Sequence, residues 1–366
     1  MTLHFYFGRK FLRSFFSVFF VFFGILALTA LIDQIRKFGG NEEASFTMMM
    51  GLAILSVPED LYRILPLIMI LATLALFLGL ARSSELVVTR ASGRSALRSL
   101  IAPLILAVLI GIVGVAAMNP IVAATQKQYE AQSARLSGAS ATLSVSAEGL
   151  WLRQGTPDGQ TVIRAARSNL DGTELFGVTF LGYDGEGLPT YRIEAESARL
   201  VVGAWSIANA KEWRFDTDTL VPEVDSFETA QMSLASNLTR NQILDSFGTP
   251  SSIPIWELPK FIKGLEAAGF SARSHRTFLH MELATPLLLA AMVLVGAGFT
   301  MRHTRVGRTG LMVLSALGLG FFLYFVRNFA AILGENGQIP ILMAAWFPPL
   351  AALFLPLGLL LHLEDG

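Results

Sequence analysis

The feature that most constrains this chain is a set of long stretches without a single Asp, Glu, Lys or Arg. These runs cover residues 14–32, 64–81, 99–126, 283–301, 309–326 and 336–363. Each run is at least 18 residues long, and a helix of about that length crosses the roughly 30 Å of bilayer hydrocarbon. The sequence therefore predicts six transmembrane helices, three on either side of a polar middle region.

The overall composition agrees with an integral membrane protein. Of the 366 residues, 53% are hydrophobic and 15% are charged, which is too apolar for a soluble chain of this length. Cysteine is absent, and this excludes disulfides and cysteine-based metal or redox sites. The formal net charge is zero, whereas a nucleic-acid-binding protein needs a basic face.

Basic residues predict the orientation of the helices. One set of flanking segments holds Arg9, Lys10, Arg13, Arg82, Arg90, Arg94, Arg98, Arg302, Arg305 and Arg308. The opposite short loops hold only Arg36, Lys37, Arg63 and Arg327, beside several acids. The positive-inside rule then places both termini in the cytoplasm. Three crossings put the middle region, residues 119–277, on the far side of the membrane.

The middle region has the pattern of a β-domain. Asp158-Gly159, Asp171-Gly172 and Asp184-Gly185 recur at an even spacing, and Asp-Gly is a strong hairpin signal. Strand-like segments lie at 150–153, 161–165, 178–183 and 191–200, and helical segments at 122–135 and 259–268 border the region. We therefore predict three parts: helices 1–3 in 1–118, an inserted all-β domain of sandwich, jelly-roll-like or partly open barrel type in 119–277, and helices 4–6 in 278–366.

A short basic segment, residues 82–98, connects the second and third predicted spans. We expect a surface helix that begins near Ser83 or Ser84 with a serine N-cap, carries Glu85 in its first turn and ends at Gly93. Leu86, Val87 and Ala91 give it a narrow apolar stripe. The segment is either a solvated connector or a docking surface. Its candidate docking residues are Arg82, Ser84, Glu85, Leu86 and Arg90, and Glu85, the single acid of the loop, is best explained by pairing with a basic residue on a partner.

Ionisable residues also mark the end of the first predicted span. Asp33 and Arg36 lie one turn apart and Lys37 follows. Charged groups at this depth are costly unless they pair or meet water or a ligand. Two interpretations remain: an ion pair that sets the helix boundary, or contacts to an anionic ligand.

Catalytic motifs are absent from the sequence. It contains neither GxxxxGK[ST] nor HExxH, so a P-loop nucleotide site is excluded and a zinc protease site is not favoured. The five histidines are scattered among termini and loops. We predict no catalytic residues, no metal ligands and no cofactor bound by this chain.

With these features in place, the chain resembles the LptF/LptG permease family of bacterial lipopolysaccharide export. The layout of helices around a β-domain matches, and the loop RSSELVVTRASG (82–93) is the most specific stretch. Four further stretches are closer to the LptG branch than to LptF: IDQIRKFG (32–39), SVP (56–58), GLW (149–151) and NLT (237–239).

The resemblance implies a partner complex in the bacterial inner membrane. It implies that an LptF–LptG pair encloses a cavity, that two LptB ATPase subunits bind and use ATP, and that LptC joins them. Lipopolysaccharide would then pass through stacked periplasmic β-domains. Glu85 falls on the family's coupling-helix acid, and Arg36 and Lys37 fall on basic positions near the lipid phosphates. Asp33 is a candidate lipid-binding residue beside them. One departure is Ala30, where LptG relatives can carry a basic residue. The alternatives are an LptF-type sibling, or a scaffold or channel subunit whose β-domain binds a protein.

Overall fold

The computed structural model describes residues 2–40, 44–91, 95–137, 143–146, 149–156, 159–169, 172–215, 226–236, 238–239, 249–267, 269–301 and 309–365. Its first helices are α1 (Thr2–Phe38), α2 (Phe46–Arg63), α3 (Leu65–Arg82), α4 (Glu85–Ala91), α5 (Ala96–Val113) and α6 (Asn119–Ser137), and a π-helical turn, Gly114–Met118, joins the last two. After the β-region come α7 (Leu258–Ala267), α8 (Arg273–Thr300), α9 (Thr309–Glu335) and α10 (Ile341–Asp365).

Six helical stretches among these residues are long and apolar enough to cross a membrane. They are Leu3–Phe38, Leu65–Arg82, Arg98–Ser133, Arg273–Thr300, Gly310–Glu335 and Ile341–Gly358. They coincide in order with the six charge-free runs, so the predicted polytopic membrane architecture is confirmed. Both predicted helical borders are also present, because α6 contains residues 122–135 and α7 contains most of 259–268.

The helix α8 lies at the centre of the membrane region. Its side chains are buried along most of its length, and it packs against α3, α5, α9 and α10. Small residues allow the close contacts, as is common between membrane helices. A Cβ built on Gly111 of α5 would lie 2.5 Å from Pro286 Cα of α8, and one built on Gly296 would lie 2.9 Å from Thr73 Cβ of α3.

The helix α2 is not predicted by the sequence pattern. Its acids and Arg63 interrupt the apolar run, so residues 46–63 fall outside the six predicted spans. In the structure the Ser45 side chain accepts a hydrogen bond from Met48 N at the start of α2, and only Ile64 separates α2 from α3. The apolar side of α2, including Val57, is buried against α1. Packing therefore makes this segment a helix despite its charges.

A buried polar network links several elements of the membrane region. The carboxylate of Glu282 in α8 is 4% exposed and accepts hydrogen bonds from the Tyr62 hydroxyl of α2 and, at 3.4 Å, from Asn119 Nδ2. Asn119 Oδ1 accepts from the Ile255 backbone N–H at 2.9 Å. The Trp256 indole donates to a carbonyl of the π-helical turn at 3.1 Å. The segment before α7 is thereby held to α8 and to the start of α6.

The inserted domain is an antiparallel sheet of seven strands among the described residues, ordered β1 to β7 in sequence. The strands are β1 (Leu143–Ser146), β2 (Gly149–Thr156), β3 (Gly159–Ser168), β4 (Glu174–Asp184), β5 (Pro189–Val201), β6 (Ala204–Arg214) and β7 (Ser226–Ala235). All four predicted strand segments lie inside β2 to β5, so the inserted all-β domain is confirmed. The strand order is that of a meander, in place of the Greek-key order of a jelly roll.

The predicted Asp-Gly turns fall between consecutive strands of the sheet. Asp184 ends β4, and its Oδ1 accepts hydrogen bonds from the backbone N–H groups of Glu186 and Leu188 in the turn to β5. Asp158 and Asp171 lie outside the described residues, but they fall between β2 and β3 and between β3 and β4. The turn predicted at Asp184-Gly185 is therefore confirmed, and the turns at Asp158 and Asp171 stay predictions.

The sheet curls until its distant strands meet. Gln154 Nε2 of β2 donates to Ala235 O of β7 at 3.2 Å, and Ser236 Oγ donates to Gln154 Oε1 at 2.8 Å. In a flat sheet these strands would stand about 24 Å apart, five spacings of about 4.8 Å. Gly177 and Asn209 have positive φ values of 60° and 51°, and at these positions the ladder is interrupted on both paired strands. The register between β4 and β5 shifts at Gly182/Tyr183, and a bulge of this kind increases the local twist.

The chain divides into two compact units. One comprises Met1–Gln132, Ser251–Trp256 and Arg273–Gly366, and the other comprises Ser133–Pro250 and Glu257–Ala272. The first unit continues beyond residue 118, the predicted end of the first membrane region. The reason is that α6 prolongs α5 through the π-helical turn.

Candidate functional sites

The first candidate site is built around α4. The chain leaves α3 through Ser83 and Ser84, and Ser84 has a left-handed φ of 58°. Ser83 has φ −84° and ψ 6°, so neither serine has the extended backbone of an N-cap residue, and that expectation is wrong. Glu85 begins the helix, as the first-turn prediction required. Gly93, the predicted end, lies outside the described residues.

Packing divides the residues of α4 between core and solvent. Leu86 and Thr89 are buried, 6% and 8% exposed, whereas Val87 and Val88 are 62% and 69% exposed. The predicted stripe of Leu86, Val87 and Ala91 is therefore not a single buried face, because Ala91 is exposed as well. This short helix presents two adjacent apolar side chains to its surroundings.

The other predicted docking residues have less distinctive positions. Arg82 and Ser84 are exposed at the turn between α3 and α4. The side chain of Arg90 lies outside the described part of the chain.

The carboxylate of Glu85 is held by side chains of the same chain. Lys10 Nζ of α1 lies 2.7 Å from Oε1 and 2.9 Å from Oε2, and the Tyr6 hydroxyl donates to Oε2 at 2.8 Å. Ser83 Oγ donates to Oε1 at 2.9 Å. Glu85 therefore has a basic partner within the chain, 75 residues away in the sequence, and the sequence of the loop does not predict this contact.

These contacts favour the ionised form of Glu85. The hydrogen bond from Lys10 is the main cause that lowers the pKa of this carboxyl below its ordinary value of 4.5; burial opposes the shift, and the hydrogen bonds from the Tyr6 and Ser83 hydroxyls add to it. The two side chains of the ion pair remain partly accessible, 35% for Lys10 and 32% for Glu85. The group is thus a charged, pre-ordered carboxylate near the surface.

Tyr6 and Lys10 are site residues that the sequence did not reveal. In the sequence Lys10 is one of several basic residues that set orientation, and Tyr6 has no assigned role. The available signal is their spacing of four residues, which places both side chains on one face of α1. Nothing local in the sequence indicates that this face meets Glu85.

The second candidate site is the opposite end of α1. Asp33, Arg36 and Lys37 are all exposed there. Arg36 and Asp33 form no ion pair with the residues that the structure describes, so the predicted boundary ion pair is not present between them. Lys37 Nζ lies 5.0 Å from the Phe38 ring centroid and 5.9 Å from that of Tyr129.

The end of α1 is positioned by contact with α6. Gln34 is buried, and its Nε2 donates to the Tyr129 hydroxyl at 3.3 Å. The nearby α2 adds acidic groups: burial raises the pKa of the Asp60 carboxyl, Arg63 opposes this shift, and the charge of Asp33 adds to it. Arg36 and Lys37 therefore stand as exposed cations beside a partly acidic helix.

Six apolar helices interrupted by an antiparallel β-domain define a polytopic membrane protein with a large insertion between its third and fourth spans. The family described as lipopolysaccharide export system permease LptF/LptG matches residues 5–362 of the chain. The chain therefore belongs to the LptF/LptG family of lipopolysaccharide export permeases, whose members are transport subunits.

Individual relatives agree with this assignment. The lipopolysaccharide export system permease protein LptG of Escherichia coli strain K12 is 24% identical over 366 residues, covering 98% of this chain and 97% of that protein. The protein of the same name from Haemophilus influenzae strain Rd is 23% identical over 365 residues, covering 95% of each chain. The similarity thus extends through the helices and the β-domain.

Proposed function

We propose that this chain is the LptG-type permease subunit of an ABC transporter that extracts lipopolysaccharide from the bacterial inner membrane and passes it to a periplasmic bridge. The two relatives described above, which carry the LptG name, support this branch over LptF. The proposed partners are LptF, LptC and an LptB ATPase dimer. ATP is hydrolysed at LptB, and this chain binds no cofactor of its own.

The proposed orientation rests on the distribution of basic residues. The start of α1 and the turn into α4 carry Arg9, Lys10 and Arg82, whereas the outer end of α1 is flanked by acids. By the positive-inside rule, both termini and α4 face the cytoplasm. The β-domain then faces the periplasm, where a lipid bridge begins.

The exposed side of α4 is the proposed docking surface for LptB. The observation that carries this proposal is the pair Val87 and Val88, which project to solvent while Leu86 and Thr89 fix the helix from below. Exposed apolar side chains on a short, anchored helix suit insertion into a partner's groove. Glu85 and Arg82 border these valines and add charge to the surface.

The outer end of α1 is the proposed contact for lipid phosphates. Arginine and lysine bind phosphate through charge-assisted hydrogen bonds, and Arg36 and Lys37 are exposed there. Below them, Phe16, Phe20 and Phe23 are 49%, 64% and 46% exposed along α1. A cationic rim over an apolar surface suits a lipid with an anionic headgroup.

The docking proposal is tested by Val88→Asp in the assembled complex. Placing a carboxylate on the docking surface should weaken LptB copurification and lipid release by at least about tenfold, since a buried valine contributes about 1.5–3 kcal/mol. The matched control is Val202→Asp, because Val202 is fully exposed in the turn between β5 and β6. Equal LptB retention in the two variants contradicts the docking proposal, and failure of wild type to copurify any ATPase favours the scaffold alternative.

The phosphate proposal is tested by the double variant Arg36→Glu, Lys37→Glu. We expect loss of most copurifying lipopolysaccharide with LptB retained. The control is Lys260→Glu, Lys263→Glu, which makes the same charge change at exposed positions of α7. Similar lipid retention in both double variants would return Arg36 and Lys37 to a boundary-marking role.

A further inference from the structure

The acid of α4 has its hydrogen-bonding capacity filled from within the chain. Lys10 contacts both oxygens, Tyr6 donates to Oε2 and Ser83 donates to Oε1. A carboxylate has about four acceptor positions, so the four contacts account for them. A basic residue of a partner can bind this carboxylate fully only by displacing one of these donors.

The donors from α1 stand beside a packed core. Phe7 and Phe11 alternate along α1 with Tyr6 and Lys10, and both are buried in the same apolar cluster as Leu86 of α4. The polar contacts to Glu85 and the apolar contacts to Leu86 therefore lie next to each other between α1 and α4. Together they fasten α4 to α1, although α4 itself has only 7 residues and a helix that short is not stable alone.

The helix α1 connects the two candidate sites. It is a single helix of 37 residues without proline, which spans about 55 Å at 1.5 Å per residue. Tyr6 and Lys10 lie near its first turns, and Arg36 and Lys37 lie in its last turn. A displacement applied at α4 can reach the outer end through one continuous element.

We propose that Tyr6 and Lys10 are positioning residues that clamp Glu85, so that movement of the partner ATPase at α4 is delivered to α1 and thereby to the lipid-facing end of that helix. The inference rests on the proposed function, because it assumes that α4 receives the ATPase. It assigns to Glu85 a role inside the chain, as the link between α4 and α1, that does not depend on an ion pair with the partner.

Exchanging the charges of Lys10 and Glu85 distinguishes a role of Glu85 inside the chain from an ion pair with the ATPase. Glu85→Lys places an ammonium group against Lys10, and Lys10→Glu places two carboxylates together, so each single variant breaks the clamp. We expect each to lower lipid released per ATP hydrolysed by about tenfold, which corresponds to about 1.4 kcal/mol. The double variant Lys10→Glu, Glu85→Lys restores an opposite-charge pair, and we expect it to recover coupling to within about threefold of wild type (~0.65 kcal/mol).

A direct ion pair with the ATPase predicts a different result. The exchanged protein would still present Lys at position 85 to the partner's basic residue, so it should be as defective as Glu85→Lys alone. That outcome overturns the proposal. Arg9→Glu is the control for Lys10→Glu, because Arg9 is exposed one residue away, and we expect it to leave lipid release per ATP unchanged.

Milder variants keep the test valid if charge reversal prevents folding. Tyr6→Phe removes one donor without changing shape, and it should lower lipid release per ATP by about threefold (~0.65 kcal/mol) while LptB copurification and thermal stability stay as in wild type. Lys10→Arg should retain coupling and Lys10→Met should lose it. Wild-type coupling in both Tyr6→Phe and Lys10→Met overturns the clamp, whereas Val88→Asp reports separately on whether α4 docks the ATPase at all.

Discussion

The close contact between α5 and α8 yields a prediction that the structure makes quantitative. Gly111 has no side chain where α5 passes over Pro286 of α8. An added Cβ would lie 2.5 Å from Pro286 Cα, 3.0 Å from its Cβ and 3.1 Å from its N. Carbon atoms in ordinary contact are about 3.5–4.0 Å apart, so Gly111→Ala forces the two helices to separate by about 1 Å.

A second variant separates the free-energy cost of overpacking from the gain in helix propensity. Replacing glycine by alanine inside a helix is favourable by about 1 kcal/mol, and overpacking costs about 1–3 kcal/mol. Gly318 of α9 has no other atom within 4 Å of the position that an added Cβ would occupy. Gly318→Ala therefore gains helix propensity without overpacking a helix contact. The difference between the two variants should therefore be about 1–3 kcal/mol.

Thermal unfolding in detergent, followed by intrinsic tryptophan fluorescence, measures this difference. At about 2–4 °C per kcal/mol for a unit of this size, the midpoint of Gly111→Ala should lie at least about 2 °C below that of Gly318→Ala. Equal midpoints, or a higher midpoint for Gly111→Ala, refute the reasoning that α5 and α8 are held at glycine-limited distance.

Three further predictions concern orientation, the buried network and pH. In this cysteine-free chain, Gly185→Cys should react with an impermeant thiol reagent in spheroplasts and Val88→Cys should not; reversed labelling contradicts the orientation. Tyr62→Phe removes a donor to the buried Glu282 and should cost about 1.5–3 kcal/mol, measured by thermal unfolding against Tyr324→Phe, and equal midpoints count against the network. The pKa of Glu85 is lowered in the folded chain. At every pH above the ordinary carboxyl pKa, Glu85 is therefore ionised and its ion pair with Lys10 is complete. The pair is lost only as the pH falls through the lowered pKa. The coupling ratio of wild type to Glu85→Gln should therefore stay constant from about pH 7.5 to about pH 5.5, and a decline in that interval contradicts this assignment.

The sequence alone predicts the features of this protein that depend on residues close together in the chain. Six spans followed from uninterrupted apolar runs, because helix length and side-chain hydration together determine which segments cross hydrocarbon. Strands β2 to β5 followed from alternation and from Asp-Gly turns such as the one at Asp184, because turn geometry depends on a few adjacent residues. The first-turn position of Glu85 was accessible for the same reason.

Only the tertiary structure decided the features that depend on distant residues. Lys10 and Glu85 meet across 75 positions and Tyr62 meets Glu282 across 220, and no local pattern encodes such pairs. The contact between β2 and β7 joins residues 81 positions apart, and the apolar side of α2 is buried against α1. Sequence periodicity shows which side of a helix is apolar, whereas the identity of the facing partner depends on how all the elements pack together.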